Sequence, residues 1–276
     1  RDENRADIFA CAVRQKSAGS ARGPRKSAKP QLIGVNHLEG HLYSFLLPNK
    51  KSSKFQVSSF KDIFPAISLL VSGGHTTLLK MDSLTKWKRL GETLDDAAGE
   101  AFDKVARMLG LPYPGGPALE KLALNLPKGR KPSIEFPRPM LHHESYNFSF
   151  SGLKTSVLYY LRDNPRAPKA DVAASFQQAA IDVLVEKTLR AAREFRAHSV
   201  MLSGGVAANR ALRKRLKQEA ENRGLRFLAA DAKYNTDNAA MIATAGYMTL
   251  LRQGYGGQAH LRKKKYKLEA RGDLNI

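Results

Sequence analysis

The chain has 276 residues, of which 42% are hydrophobic, enough to fill a core and to exclude disorder throughout. Its formal charge of +21 at pH 7 is far beyond what solubility requires and points to a polyanionic partner, a nucleic acid or an anionic surface. The longest apolar run, 63–71, is interrupted by Pro65 and too short to cross a bilayer, so no membrane is expected among its partners.

Residues 1–30 mix Arg and Lys with Ser, Ala and Gly, and read as a basic flexible arm or part of an organelle transit segment. With the overall charge this suggests a mitochondrial address, with the cytoplasm as the alternative. Cys11 is the sole cysteine, which excludes an intrachain disulfide and a thiolate cluster and leaves nitrogen and oxygen as metal ligands. The apolar stretch Leu32-Ile33-Gly34-Val35 then leads into Asn36-His37-Leu38-Glu39-Gly40-His41. If a helix follows Asn36, His37 and His41 share one face about a turn apart, close enough to hold one metal ion. The same spacing also fits two solvated imidazoles. The zincin protease pattern needs Glu directly after the first His; Leu38 stands there, and Glu39 points about 200° away from His37. Peptidase chemistry by that route is not expected.

The patterning predicts a buried strand over 66–71 and a second over 76–81, paired through the turn Ser72-Gly73-Gly74-His75. A helix over 95–109 ends at Gly110 and sets Asp96, Glu100 and Asp103 at i, i+4 and i+7. These carboxylates are either solvated or, like the later Glu120, suited to ribose hydroxyls in a cleft. A rigid turn over 112–117 precedes a short helix through Leu124, and the basic, proline-containing stretch 128–143 reads as a long surface loop. A short strand over 147–150, a helix over 153–161 and one long amphipathic helix over 171–197 follow. The strand 199–202 then runs into Ser203-Gly204-Gly205, echoing Ser72-Gly73-Gly74, and a new helix begins.

Each Ser-Gly-Gly alone fits a tight turn, but a repeat at two strand ends predicts two related lobes facing a nucleotide cleft, because such turns aim backbone N–H groups at phosphate. Asn209 is placed one turn into the second helix, as a ligand to base or ribose or as a solvated amide. Asp237 precedes an apolar helix over 239–250, as its cap or as the hard oxygen completing a His-His-Asp metal set. Strands alternating with helices indicate an α/β architecture.

Together these motifs resemble the tRNA adenosine threonylcarbamoyltransferase family over roughly 32–247. The resemblance rests on Asn-His-Leu-Glu-Gly-His (36–41), Leu-Val-Ser-Gly-Gly-His-Thr (70–76), the acidic run 91–104, Tyr-Pro-Gly-Gly-Pro (113–117), Phe-Ser-Phe-Ser-Gly-Leu-Lys-Thr (148–155), Ser-Gly-Gly-Val-Ala-Ala-Asn-Arg (203–210) and Thr-Asp-Asn-Ala-Ala-Met-Ile-Ala (236–243). The His-Leu-Glu-Gly-His and Ser-Gly-Gly-His forms look like the bacterial and mitochondrial branch. The resemblance implies a two-lobed actin/hexokinase-like (ribonuclease H-like) fold. Residues 31–125 would form a first lobe carrying the His pair, 126–254 a second lobe with the 128–143 loop, and 255–276 a basic tail.

By the same resemblance, His37, His41 and Asp237 would hold one divalent metal ion, iron or zinc. Leu70, Val71, Ser72, Gly73 and Gly74 would cradle threonylcarbamoyl-AMP, with Asp103, Gly116, Glu120 and Asn209 completing the pocket. The implied reaction moves the threonylcarbamoyl group to N6 of the adenosine 3′ of the anticodon in tRNAs reading ANN codons. Expected partners are tRNA, threonylcarbamoyl-AMP, and a second copy of the chain or accessory tRNA-modification proteins. Residues 1–31 do not match the family's opening strand and its Gly-Ile-Glu-Thr-Ser type loop, and Asn235 stands where members commonly have Cys. The first lobe is therefore expected to lack its initial strands, which opens the alternative of a catalytically inactive nucleotide- and tRNA-binding scaffold.

Overall fold

The computed structural model describes residues 8–13, 31–47, 62–127 and 129–252. Its frame is a five-stranded sheet built from β3 (Ala66–Val71), β4 (Thr76–Met81), β5 (Trp87–Glu92), β6 (Ser199–Ser203) and β7 (Arg226–Ala229), in the order β5-β4-β3-β6-β7. The hairpin strands β3, β4 and β5 are antiparallel, whereas β6 runs parallel to β3 and β7 parallel to β6. β3 and β4 take the bounds that apolar patterning predicts.

Alternation of side chains along each strand gives the sheet two apolar faces. Ile67, Leu69, Val71, Leu78, Val200 and Leu202 belong to the larger core, under α2 (Ala98–Met108), α3 (Gly115–Ala123), α4 (Ser151–Asp163), α5 (Lys169–Glu194) and α6 (Arg210–Glu221). Ala66, Leu70, Leu79, Met81 and Met201 face the other way, into a smaller core with α1 (His37–Leu42), the 3-10 turn Tyr43–Leu46 and α7 (Ala239–Arg252). A separate antiparallel pair, β1 (Ile8–Val13) and β2 (Gln31–Asn36), lies against α7 and feeds α1 directly.

Several expectations need correction. Strands β3 to β5, assigned to a first lobe, share one sheet and one core with β6 and β7, so a boundary at 125/126 would cut through a continuous hydrophobic interior. β1 lies within the stretch read as a flexible arm; the rest of 1–30, and the tail 255–276 with its basic run 262–267, lie outside the described residues. β5 and β7 are half-exposed edge strands whose weak alternation hid them from the sequence. The stretch 147–150 supplies only a single bridge, Thr93 with Phe148.

The loop after α3 is not a loose surface element, although Lys128 itself lies outside the described residues. Ser133 N and Ile134 N donate to Asp171 Oδ1 (2.9 Å) and Ser175 Oγ (3.2 Å) on α5. Phe136 is buried edge-on against Tyr160, and Arg138 binds Asp182 through two guanidinium nitrogens (3.0 and 2.9 Å). Polar residues along α5 thus satisfy backbone groups that an irregular segment cannot satisfy itself.

Candidate metal centre and glycine-lined cleft

Asn36 starts α1 by accepting a hydrogen bond from Leu38 N (2.8 Å), so the histidine pair begins in the first turn. The two rings stand edge to face, 4.8 Å apart, and are 8% and 3% exposed. Asp237 Oδ1 lies 3.2 Å from Nε2 of both His37 and His41. The three donor atoms all fall within 4.8 Å of one another. Ligands about 2.05 Å from a tetrahedral ion sit about 3.3 Å apart, so the His–Asp separations suit a shared metal.

Asp237 is not the helix cap. Asn238 Oδ1 accepts from Met241 N (2.9 Å) and caps α7 instead, which leaves the Asp237 carboxylate, 62% exposed, on the open side of the centre. α1 is held against α7 at Gly40, where an added Cβ would come 3.2 Å from Ile242 and 3.3 Å from Met241. The Glu39 carboxylate pairs with Arg252 at the far end of α7, and Leu38 is buried, so neither supplies a base beside the centre.

Burial, then the nearby His37, lower the His41 pKa to about 4, with the neighbouring His75 adding to the effect. At neutral pH His41 is an uncharged donor, the form a metal requires. Stability follows. The unfolded chain protonates His41 below about 6.5 and the folded chain does not, so the contribution is complete above 6.5 and lost as pH falls towards 4. For metal-free protein the expected loss is on the order of 3 kcal/mol, read as urea midpoints at pH 7 and pH 4.5. A His41→Ala variant with the same pH response would contradict this origin.

The second part of the site lies where the two Ser-Gly-Gly turns meet. Because β3 and β6 are parallel neighbours in register, their ends emerge side by side at one edge of the sheet. Gly204 has φ 90°, and a Cβ there would overlap the Val71 carbonyl, 2.8 Å from its carbon. Gly99, in the first turn of α2, donates to Ser72 O (3.2 Å), and its own added Cβ would fall 2.6 Å from that oxygen. Ser72 closes its turn by accepting from His75 N through Oγ (3.1 Å), while Ser72 N donates to His75 O (2.7 Å).

A cleft of about 470 Å³ opens at this edge, lined by Gly73, Asp103, Lys104, Arg107 and Tyr113 among others. Asp103 Oδ1 accepts from Gly116 N (3.0 Å), tying α2 to the start of α3. Gly73 and Gly74 are exposed, but the Leu70 and Val71 side chains are wholly buried, so only their backbone could meet a ligand. Glu120 Oε1 accepts from Arg210 N (2.6 Å).

Asn209 is neither a turn into the helix nor solvated. It is the α6 cap, accepting from Leu212 N (2.9 Å) and donating to Gln177 Oε1 (2.9 Å). The predicted acidic face also breaks up, because Asp96 precedes α2 and binds Lys104 (2.7 Å) and Lys154 (2.5 Å), while Glu100 also binds Lys104. Burial opposes its ionisation, yet the two lysines hold the Asp96 carboxyl below the usual range. Lys104, Arg107 and Tyr113 were missed; nothing in their spacing separates them from ordinary surface residues.

The sequence profile of the tRNA N6-adenosine threonylcarbamoyltransferase family matches residues 17–244. The match starts inside the stretch expected to have no family counterpart. Among curated relatives, the tRNA N6-adenosine threonylcarbamoyltransferase of Ralstonia pickettii is 48% identical over 238 residues, covering 82% of this chain and 65% of the relative. That of Moorella thermoacetica is 50% identical over 228 residues, covering 81% of this chain and 63% of the relative. The chain thus spans a little under two thirds of their length. Among solved structures, full-length HypF in its phosphate- and nucleotide-bound form aligns with a TM-score of 0.56 at 16% identity, over 80% of this chain and 43% of that one. This likeness bears on fold alone and agrees with the expected actin/hexokinase-like α/β architecture.

Proposed function

Since the chain belongs to the tRNA N6-adenosine threonylcarbamoyltransferase family, we propose that it transfers the threonylcarbamoyl group of threonylcarbamoyl-AMP to N6 of the adenosine 3′ of the anticodon. The observation that carries this reading is the adjacency of two half-sites. α1, which carries both histidines, packs against β3, whose end delivers the Ser-Gly-Gly-His turn closed by His75, and His75 adds to the depression of the His41 pKa. Both support reading the His37–His41–Asp237 centre and the glycine turns as neighbours.

In this reading the backbone at 70–74, with the N-terminus of α2 behind it, holds the adenylate phosphate, and Asp103 beside Gly116 takes a ribose hydroxyl. Glu120 and Asn209 act by fixing the α6 entry, through Arg210 N and Leu212 N, so that the second glycine turn keeps its place. A divalent ion, iron or zinc, held by His37, His41 and Asp237 would supply Lewis-acid stabilisation of the carbonyl oxygen, worth several kcal/mol. The N6 nitrogen bonds to the carbamoyl carbon and loses a proton, the carbon–oxygen bond to phosphate breaks, and AMP departs. Partners beyond tRNA would be a second copy or accessory modification proteins, and the motif forms favour a mitochondrial or bacterial-type setting over a cytosolic one.

The test is incubation with threonylcarbamoyl-AMP and unmodified tRNA reading an ANN codon, followed by nucleoside mass spectrometry. The expected product is threonylcarbamoyladenosine. No product, with tRNA still bound, would overturn the transferase reading in favour of a non-catalytic scaffold.

A further inference from the structure

At the opposite end of the larger core lies a groove of about 880 Å³ between the C-terminal half of α5 and α6. His198 N, just past α5, donates to Pro65 O (2.7 Å) where β3 begins, whereas the glycine turns lie where β3 ends. Five residue steps of strand separate the two, roughly 17 Å. Five arginines line the groove, Arg190, Arg193, Arg196, Arg215 and Arg223, against two carboxylates, Asp182 and Glu186.

Their engagement differs. Asp182 is already bound by Arg138 and Arg215, Arg223 pairs with Glu219, and Arg190 donates to the carbonyls of His143 (2.7 Å), Glu144 (3.1 Å) and Ser145 (2.8 Å). Arg193 and Arg196 are exposed, and among the described residues neither has a side-chain hydrogen bond or carboxylate partner. Arg196 also holds φ 49° just beyond the end of α5, a left-handed position where glycine is the relaxed choice. A strained arginine facing a cationic groove, in a chain of charge +21, fits a phosphate-rich ligand.

We propose that this groove is a second RNA-binding surface, where Arg193 and Arg196 grip phosphodiesters of the tRNA away from the adenosine being modified. The proposal rests on the tRNA reading above. Phosphates are matched by the fork of a guanidinium, and a tRNA held there would bind in a strongly salt-dependent way without base specificity.

The experiment measures binding of an in vitro transcribed tRNA over a salt series, for the full chain, Arg196→Gly, Arg193→Ala/Arg196→Gly and a charge-matched control, Lys86→Ala/Lys88→Ala on the β4–β5 hairpin. Arg196→Gly is expected to hold or raise the melting temperature while weakening tRNA binding, a combination that misfolding cannot produce. The double groove variant is expected to lose about tenfold in affinity and to flatten the salt slope by about 1.5, the share of two phosphate contacts. Affinity and slope equal to the lysine control would overturn the groove while leaving the tRNA reading standing. A parent chain that binds no tRNA would overturn both. Polyglutamate of matched charge binding as tightly as tRNA, and lost in the groove variant, would reassign the groove to an acidic protein segment.

Discussion

With His37 and His41 both replaced by alanine, the protein is expected to keep its helical circular dichroism and, if the proposed metal centre is right, to take up divalent metal only at background level by elemental analysis, against about one ion per chain in the parent. The two imidazoles supply two of three donors, and Asp237 alone, 62% exposed, is left as an ordinary hydrated carboxylate. Affinity should fall by more than about 100-fold, since even lesser changes around a ligand cost 10 to 100-fold. The fold should survive because the larger core lies across the sheet from α1. Full metal occupancy in the double variant would remove the pair as ligands. Asp237→Ala should give a partial loss, as two buried imidazoles remain together.

Gly204→Ala is expected to be among the most damaging glycine substitutions at the described residues, lowering stability by about 3–5 kcal/mol. Two costs add. The residue holds φ 90°, which alanine adopts only with strain, and the new Cβ would overlap the Val71 carbonyl of the neighbouring strand. Relief would require β3 and β6 to part at the edge where both Ser-Gly-Gly turns emerge, so nucleotide binding should weaken with stability. Gly205→Ala is the control: an added Cβ there meets nothing within 4 Å, and its denaturation midpoint should shift little. Equal midpoints for the two variants would show that the close approach at Gly204 does not constrain the sheet.

Much of the site was legible where it depended on local periodicity. The spacing of His37 and His41 fixes their common face once Asn36 caps the helix, and both need only six residues to express it. Gly204 and Gly99 were readable as glycines, but the reason each must be glycine is a strand or helix end remote in sequence. At the pocket side chains Asn209 and Glu120 have the right chemistry for a ligand, and the structure adds that both also hold the α6 entry, contacts with distant partners that a linear pattern does not contain.

What the sequence determined by itself was the short apolar runs that draw β3 and β4 at 66–71 and 76–81, the helix that sets two imidazoles on one face, and the excess of positive charge. Charge is a sum over composition, a short apolar run needs burial on both faces wherever it lies, and the common face of the imidazoles follows from the 3.6-residue repeat of the helix. Only the tertiary structure decided which distant groups meet. It brought Asp237 to the histidine pair across some 200 residues of chain, gave the capping task to Asn238, and laid the two glycine turns side by side. Those outcomes depend on packing α1 against α7 and β3 against β6, long-range choices made by the whole hydrophobic core rather than by any local run of residues.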